Sequence, residues 1–196
     1  VLGDIDPNVF VSNGQGATDD DLCYDPLLIT DTWNPPGAPQ RDNNLGGTID
    51  VQAGTLRLRG GTSTGATITL AGGTVLDLSV TQNWTGTYTG SGGGTLQLSG
   101  TAGIAIGADG ATINFPQGMF HMPTGTSIGT PGNTLTNTGH ISIDGDVTIG
   151  GILVNTGTIT HNAGTVRLSS ATIDNQVAGV YDLAGDGAFA NFTGTI

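Results

Sequence analysis

Apolar and polar residues alternate through most of this chain, and the alternation restarts about every seven residues. From Asn155-Thr-Gly-Thr-Ile159 onward the apolar centres fall at Ile159, Val166, Ile173 and Val180. A strand of roughly five residues plus a two-residue turn takes about that length, so three units make one triangular turn of a solenoid. The same texture runs upstream. Ile49 and Val51, Leu56 and Leu58, and Ile68 and Leu70 read as inward, with Asp50, Arg57 and Thr69 outward. Val75, Leu96, Ile113 and Ile141 extend the inward set. The phrases Asn137-Thr-Gly-His-Ile141 and Asn155-Thr-Gly-Thr-Ile159 lie 18 residues apart, and Phe192-Thr-Gly-Thr-Ile196 repeats the second after 37, close to two coils. The pattern predicts an all-β chain, a right-handed parallel β-helix (β-solenoid) with coils of about 18–21 residues. The hand follows the general chirality of parallel crossovers. Each coil hides its apolar side only by stacking on the next. The matched Asn137 and Asn155 predict an amide ladder along the axis.

Three stretches break the rhythm. Residues 1–44 carry the acidic run Asp19-Asp20-Asp21, Trp33 and five of the eight prolines, and read as an irregular N-terminal cap or arm ahead of repeats at 45–196. A solenoid needs its terminal coil covered. The apolar runs Val9-Phe10-Val11 and Leu27-Leu28-Ile29 are that arm's candidate strands. Around Gln82–Gly90, Trp84 and Tyr88 are expected to cover a corner or to protrude as a loop. Pro116–Pro123 is expected to form a bulged or looped coil.

Composition supports strands over helices. There are 35 glycines and no Lys or Glu; all 16 acidic residues are Asp, and the basic ones are Arg41, Arg57, Arg59 and Arg167. Losing Glu and Lys while accumulating Gly, Thr and Asp favours strands joined by turns. A net charge of −12 argues against nucleic acid, which needs a basic stripe, and against an anionic membrane surface. No apolar run approaches the roughly 20 residues of a membrane span. The chain opens at Val1 with no visible signal peptide and reads as a mature or trimmed product. Cys23 stands alone and reads as a small buried hydrophobe.

Little in the chain carries chemistry. The neighbouring carboxylates Asp144 with Asp146, and Asp182 with Asp186, have glycosidase-like spacing. They sit in Gly-rich text, however, where Asp is an ordinary turn residue. His121, His140 and His161 are scattered; His140 and His161 lie one coil apart and are a candidate metal pair on one face. Calcium is the ion that Asp-rich loops suit best, with Asp4, Asp6 and Asn8, and Asp19, Asp20, Asp21 and Asp25, as candidate ligands. Otherwise no cofactor is expected. Asn83-Trp-Thr85 and Asn191-Phe-Thr193 fit the N-glycosylation pattern. Thr pairs such as Thr67 with Thr69 and Thr156 with Thr158 do not recur at one coil spacing, which favours plain strand filler.

The phrases Asn155-Thr-Gly-Thr-Ile159, Gly164-Thr-Val-Arg-Leu168, Val180-Tyr-Asp-Leu183 and Phe189-Ala-Asn-Phe-Thr-Gly-Thr-Ile196 resemble the Gly/Thr/Asn-rich repeats of large bacterial secreted β-helix proteins. Autotransporter passenger domains and filamentous-haemagglutinin-like adhesins are the families in question. The resemblance covers roughly residues 45–196. It implies a right-handed parallel β-helix and a role in adhesion or surface structure.

The leading expectation is therefore a non-enzymatic extracellular or cell-surface module of an adhesin or fibre. Its expected partners are copies of itself in a filament or longer repeat array, and a host or matrix glycan. Phe192-Thr-Gly-Thr-Ile196 reads as the opening of another repeat. Phe192 and Ile196, with Val9, Phe10, Val11, Leu27, Leu28 and Ile29 as donor strands, are the expected contact between subunits. The competing expectations are a polysaccharide-active β-helix enzyme and a Thr-faced module that binds ice or glycan.

Overall fold

A computed structural model describes residues 9–12 and 45–191. The strands, in chain order, are β1 (Val9–Ser12), β2 (Thr48–Val51), β3 (Thr55–Leu70), β4 (Val75–Gly92), β5 (Thr95–Leu98), β6 (Gly103–Asn114), β7 (Phe120–Met122) and β8 (Ser127–Ile128). They continue as β9 (Thr134–Asn137), β10 (His140–Ile143), β11 (Val147–Asn155), β12 (Thr158–His161), β13 (Gly164–Asn175), β14 (Val180–Leu183) and β15 (Gly187–Asn191). All pair in parallel except β1, which runs antiparallel to β2. The result is a β-solenoid of about 7 turns, with coils of about 21 residues. Coil length varies: the stack climbs 18 residues from Asn137 to Asn155, 20 from Asn155 to Asn175 and 21 from Thr64 to Thr85.

Three faces follow from the pairing. The first takes β2, the ends of β3 and β4, then β6, β9, β11 and β13, with Ile49 opposite Ile68 and Leu135 opposite Leu153. In the second, Leu56, Leu76, Leu96 and Phe120 form one column, and Ile141, Ile159 and Tyr181 another run of neighbours. The third stacks Ile104, Ile128, Ile149 and Leu168. Alternate residues of a strand point to opposite sides, so each column buries one side chain per coil in a single continuous core.

The register departs from the sequence expectation at Val75. It is only half-buried and lies opposite Thr55 and Thr95, while Leu76 and Leu78 are buried opposite Leu56 and Leu58. A one-residue shift turns every side chain of a strand over. The neighbouring coil selected the setting with two leucines inside. Leu56, the first member of its column among the described residues, is only partly buried.

The two irregular stretches are built into the coils. Trp84 and Tyr88 lie within β4, buried and stacked at 3.9 Å, with the Tyr88 hydroxyl donating to the Ser63 carbonyl at 2.8 Å. Phe115 packs tilted against Trp84 and Phe120. Met119, Phe120 and Met122 of the proline-flanked stretch are also buried, so only its turn at Pro116–Gly118 departs from the coil.

The expected amide ladder is formed and runs one rung further. Asn137 Nδ2 donates to Asn155 Oδ1 at 2.8 Å, and Asn155 Nδ2 donates to Asn175 Oδ1 at 2.7 Å. Each rung also caps the turn beside it, as Asn155 does at the Val180 carbonyl. The glycine two residues after Asn137 and after Asn155 is required by contact: a Cβ on Gly157 would strike the Gly139 carbonyl one coil below. That close approach explains the repeated Asn-Thr-Gly phrase.

Candidate functional site

Of the carboxylates singled out in sequence, Asp144 and Asp146 serve as ties between coils. Asp144 Oδ2 meets His121 Nδ1 at 2.7 Å in the coil before, and its Oδ1 accepts from Asn162 Nδ2 at 2.7 Å in the coil after. Asp146 accepts from the Thr165 amide at 2.8 Å and from the Arg167 guanidinium at 3.0 Å. The Arg167 hydrogen bond, followed by that of the Thr165 amide, holds the Asp146 carboxyl below its ordinary value. A glycosidase proton donor needs the opposite shift. Asp182 lies opposite Thr160 and Asp186 sits in the turn before β15, both exposed.

The histidines do not converge. His140 is paired with Thr158, and His161 with Ile143. The three-residue offset puts the two rings on opposite sides of their strands, which breaks the expected metal pair. His161 is buried in the core, edge-on to Tyr181 and Phe189. His140 bonds to Thr160 Oγ1 at 2.9 Å, and burial, with the nearby charge of His121, lowers its pKa. Among the described residues no three His, Cys, Asp or Glu side chains come together. The calcium candidates Asp4, Asp6, Asn8, Asp19, Asp20, Asp21 and Asp25 lie outside the described residues, as do Leu27, Leu28, Ile29, Phe192 and Ile196. Val9, Phe10 and Val11 lie in β1, whose backbone covers the edge of β2.

A feature that spacing hid is the outer side of the first face. Thr48, Thr67 and Thr89 lie opposite one another in successive coils, followed by Asn114. Two residues away on the same side, Thr87, Thr112 and Thr136 form a second column. Insertions between these threonines are taken up in turns and in the slip of register between Trp84 and Gly86, so unequal spacing still yields aligned threonines. The T-x-T phrases Thr67 with Thr69, Thr87 with Thr89 and Thr134 with Thr136 were the available signal.

Within this face lies a shallow depression of about 310 Å³, lined by Thr87, Thr112, Thr134, Thr136 and Asp109 around Gly86, Gly110 and Ala111. Its cause is local. Gly110 carries no side chain at the position that Thr134 fills one coil on. Its φ of +74°, and the Thr134 carbonyl 3.0 Å from where a Cβ would sit, disfavour any other residue there.

No protein-family model matches this chain, and no curated protein or solved structure shows a significant likeness to it.

Proposed function

We propose that the chain is a non-enzymatic extracellular module of a surface fibre or adhesin, a stiff stack of coils that is extended at one end and displays its sides. The observation that carries this reading is the difference between the two ends. At the first coil, β1 closes the edge of β2 with antiparallel pairing. At the last, β14 and β15 each have a strand on one side only among the described residues, with Val177, Val180 and Leu183 exposed. An unpaired strand edge with apolar side chains is a template for another strand. The occupant on this reading is a further coil, from another copy or from a longer array of the same repeats. Strand donation by Leu27–Ile29 of a neighbour, or by Val9–Val11 exchanged from its pairing with β2, with Phe192 and Ile196 at the contact, is the alternative geometry. The engagement of Asp144 and Asp146 as ties between coils, rather than as acid and base, supports the non-enzymatic part.

Leu183→Pro tests it. The Val180 and Ala184 amides donate inward, to the Gly157 and His161 carbonyls. By the alternation of a parallel ladder the Leu183 amide faces the open edge. Proline there removes an outward donor and blunts the edge. The parent should sediment as concentration-dependent oligomers and show fibres by electron microscopy, and the variant should remain a monomer of unchanged core stability. A parent that stays monomeric at high concentration sinks the assembly reading, and turnover of a polysaccharide sinks the non-enzymatic one.

A further inference from the structure

The depression on the first face combines three properties that together select a ligand class. Its polar side chains are four threonines, Thr87, Thr112, Thr134 and Thr136, and one carboxylate, Asp109. None of these five groups is engaged by another described residue. A threonine hydroxyl both donates and accepts, whereas a carboxylate only accepts. The complement is a surface dense in hydroxyls, with neighbouring O–H groups to share the two Asp109 oxygens. Second, the lining holds no cation and the chain carries a net charge of −12, so uronate, sulfate or phosphate groups would meet like charge. Third, the one apolar residue at its border, Ala111, turns its side chain into the core, which leaves an apolar peptide or a lipid without an anchor.

The repeat adds a direction. Thr87, Thr112 and Thr136 stand in three successive coils, at the strand spacing of about 4.8 Å. A polymer of like units laid along the axis meets the same donor and acceptor at each coil. The hollow left by Gly110 offers a shallow seat for a protruding ring, and it interrupts the flat plane that an ice lattice requires.

We propose that this depression binds a neutral oligosaccharide running along the solenoid axis. The inference rests on the reading of the chain as a non-catalytic displayed module and names what one of its sides takes. The test is titration of the full chain with cellohexaose, laminarihexaose and mannohexaose, and with hexagalacturonate as the anionic counterpart, by calorimetry and by NMR shift mapping. The variants are Asp109→Asn and the double change Thr112→Val with Thr136→Val; valine keeps the branched shape that suits a strand. At least one neutral chain should bind and shift Thr87, Thr112 and Thr136. The double variant should melt like the parent yet lose roughly tenfold or more in affinity. No binding of any neutral chain at millimolar concentration, binding unchanged in the double variant, or tighter binding of hexagalacturonate would each overturn the proposal. Thermal hysteresis in freezing solutions that disappears in the double variant would also overturn it, in favour of ice. Shortening of a bound oligosaccharide would instead overturn the non-catalytic reading and leave the binding site standing.

Discussion

Asn155→Ala removes the middle rung of the amide ladder, and the structure sets the expected cost. Asn155 is fully buried, with relative exposure of 0%. The change deletes three hydrogen bonds: the one accepted from Asn137 Nδ2, and those donated to Asn175 Oδ1 and the Val180 carbonyl. At about 1 kcal/mol net for each, the gross loss is about 3 kcal/mol. Two features reduce it. Asn137 Nδ2 keeps the Thr158 carbonyl at 3.2 Å, and Asn175 and Val180 are exposed, so water replaces their lost partner. The void left by the missing amide acts in the other direction. The expected destabilisation is about 2 kcal/mol. Asn175→Ala, at the exposed end, should cost about 0.5 kcal/mol, because its groups are already solvated. Asn155→Asp should cost more than alanine, since a carboxylate would face the Asn175 Oδ1 and Val180 acceptors with no compensating charge. Urea unfolding at constant m-value measures all three, and hydrogen exchange at the Val180 amide, which donates to the Gly157 carbonyl, reports the local effect. A loss at Asn155 no larger than that at Asn175 would show that burial does not strengthen the ladder and would refute the reasoning.

Trp84→Ala, which empties the ring stack against Tyr88, should cost about 3–5 kcal/mol in urea unfolding; a loss under about 1 kcal/mol would mean that the ring is not in the core. Ile159→Asp puts an unpaired charge between Ile141 and Tyr181 and should cost several kcal/mol, so a variant that melts like the parent sinks the column. The Asp146 carboxyl is held below its ordinary 3.8, so its contribution is present above that pH and is lost as pH falls through the folded value; Arg167→Ala should move its NMR titration back toward 3.8, and an unmoved titration would show that the guanidinium is not the cause. His140 is shifted below 6.5 by burial, so the unfolded chain takes up its proton first and stability should fall as pH drops from 6.5 toward the folded value; His140→Gln should flatten that limb of a pH–stability curve, and an unchanged limb would place the effect elsewhere.

What the sequence determined is the kind of object and most of its interior. The strand-period alternation at Ile49, Ile68, Ile113, Ile159 and Ile173 puts these side chains inside whatever the neighbouring coil is, because parity along a strand is a local property. The ladder of Asn137 and Asn155 was legible for the same reason: identical phrases at one coil spacing place identical side chains one above another. The tertiary structure decided what depends on the coil above or below. Val75 yielded its inward place to Leu76 because parallel pairing set Leu76 between Leu56 and Leu96. Trp84 and Tyr88 joined the core because a wide coil has room for stacked rings, which no local pattern reveals. His140 and His161 parted because the coil between them is not a whole number of the spacings counted along the chain. The threonine columns and their depression were hidden for the converse reason. Turns absorb unequal insertions, so residues at irregular intervals in sequence stand aligned in space, and only the register between coils, a long-range contact, determines which ones meet.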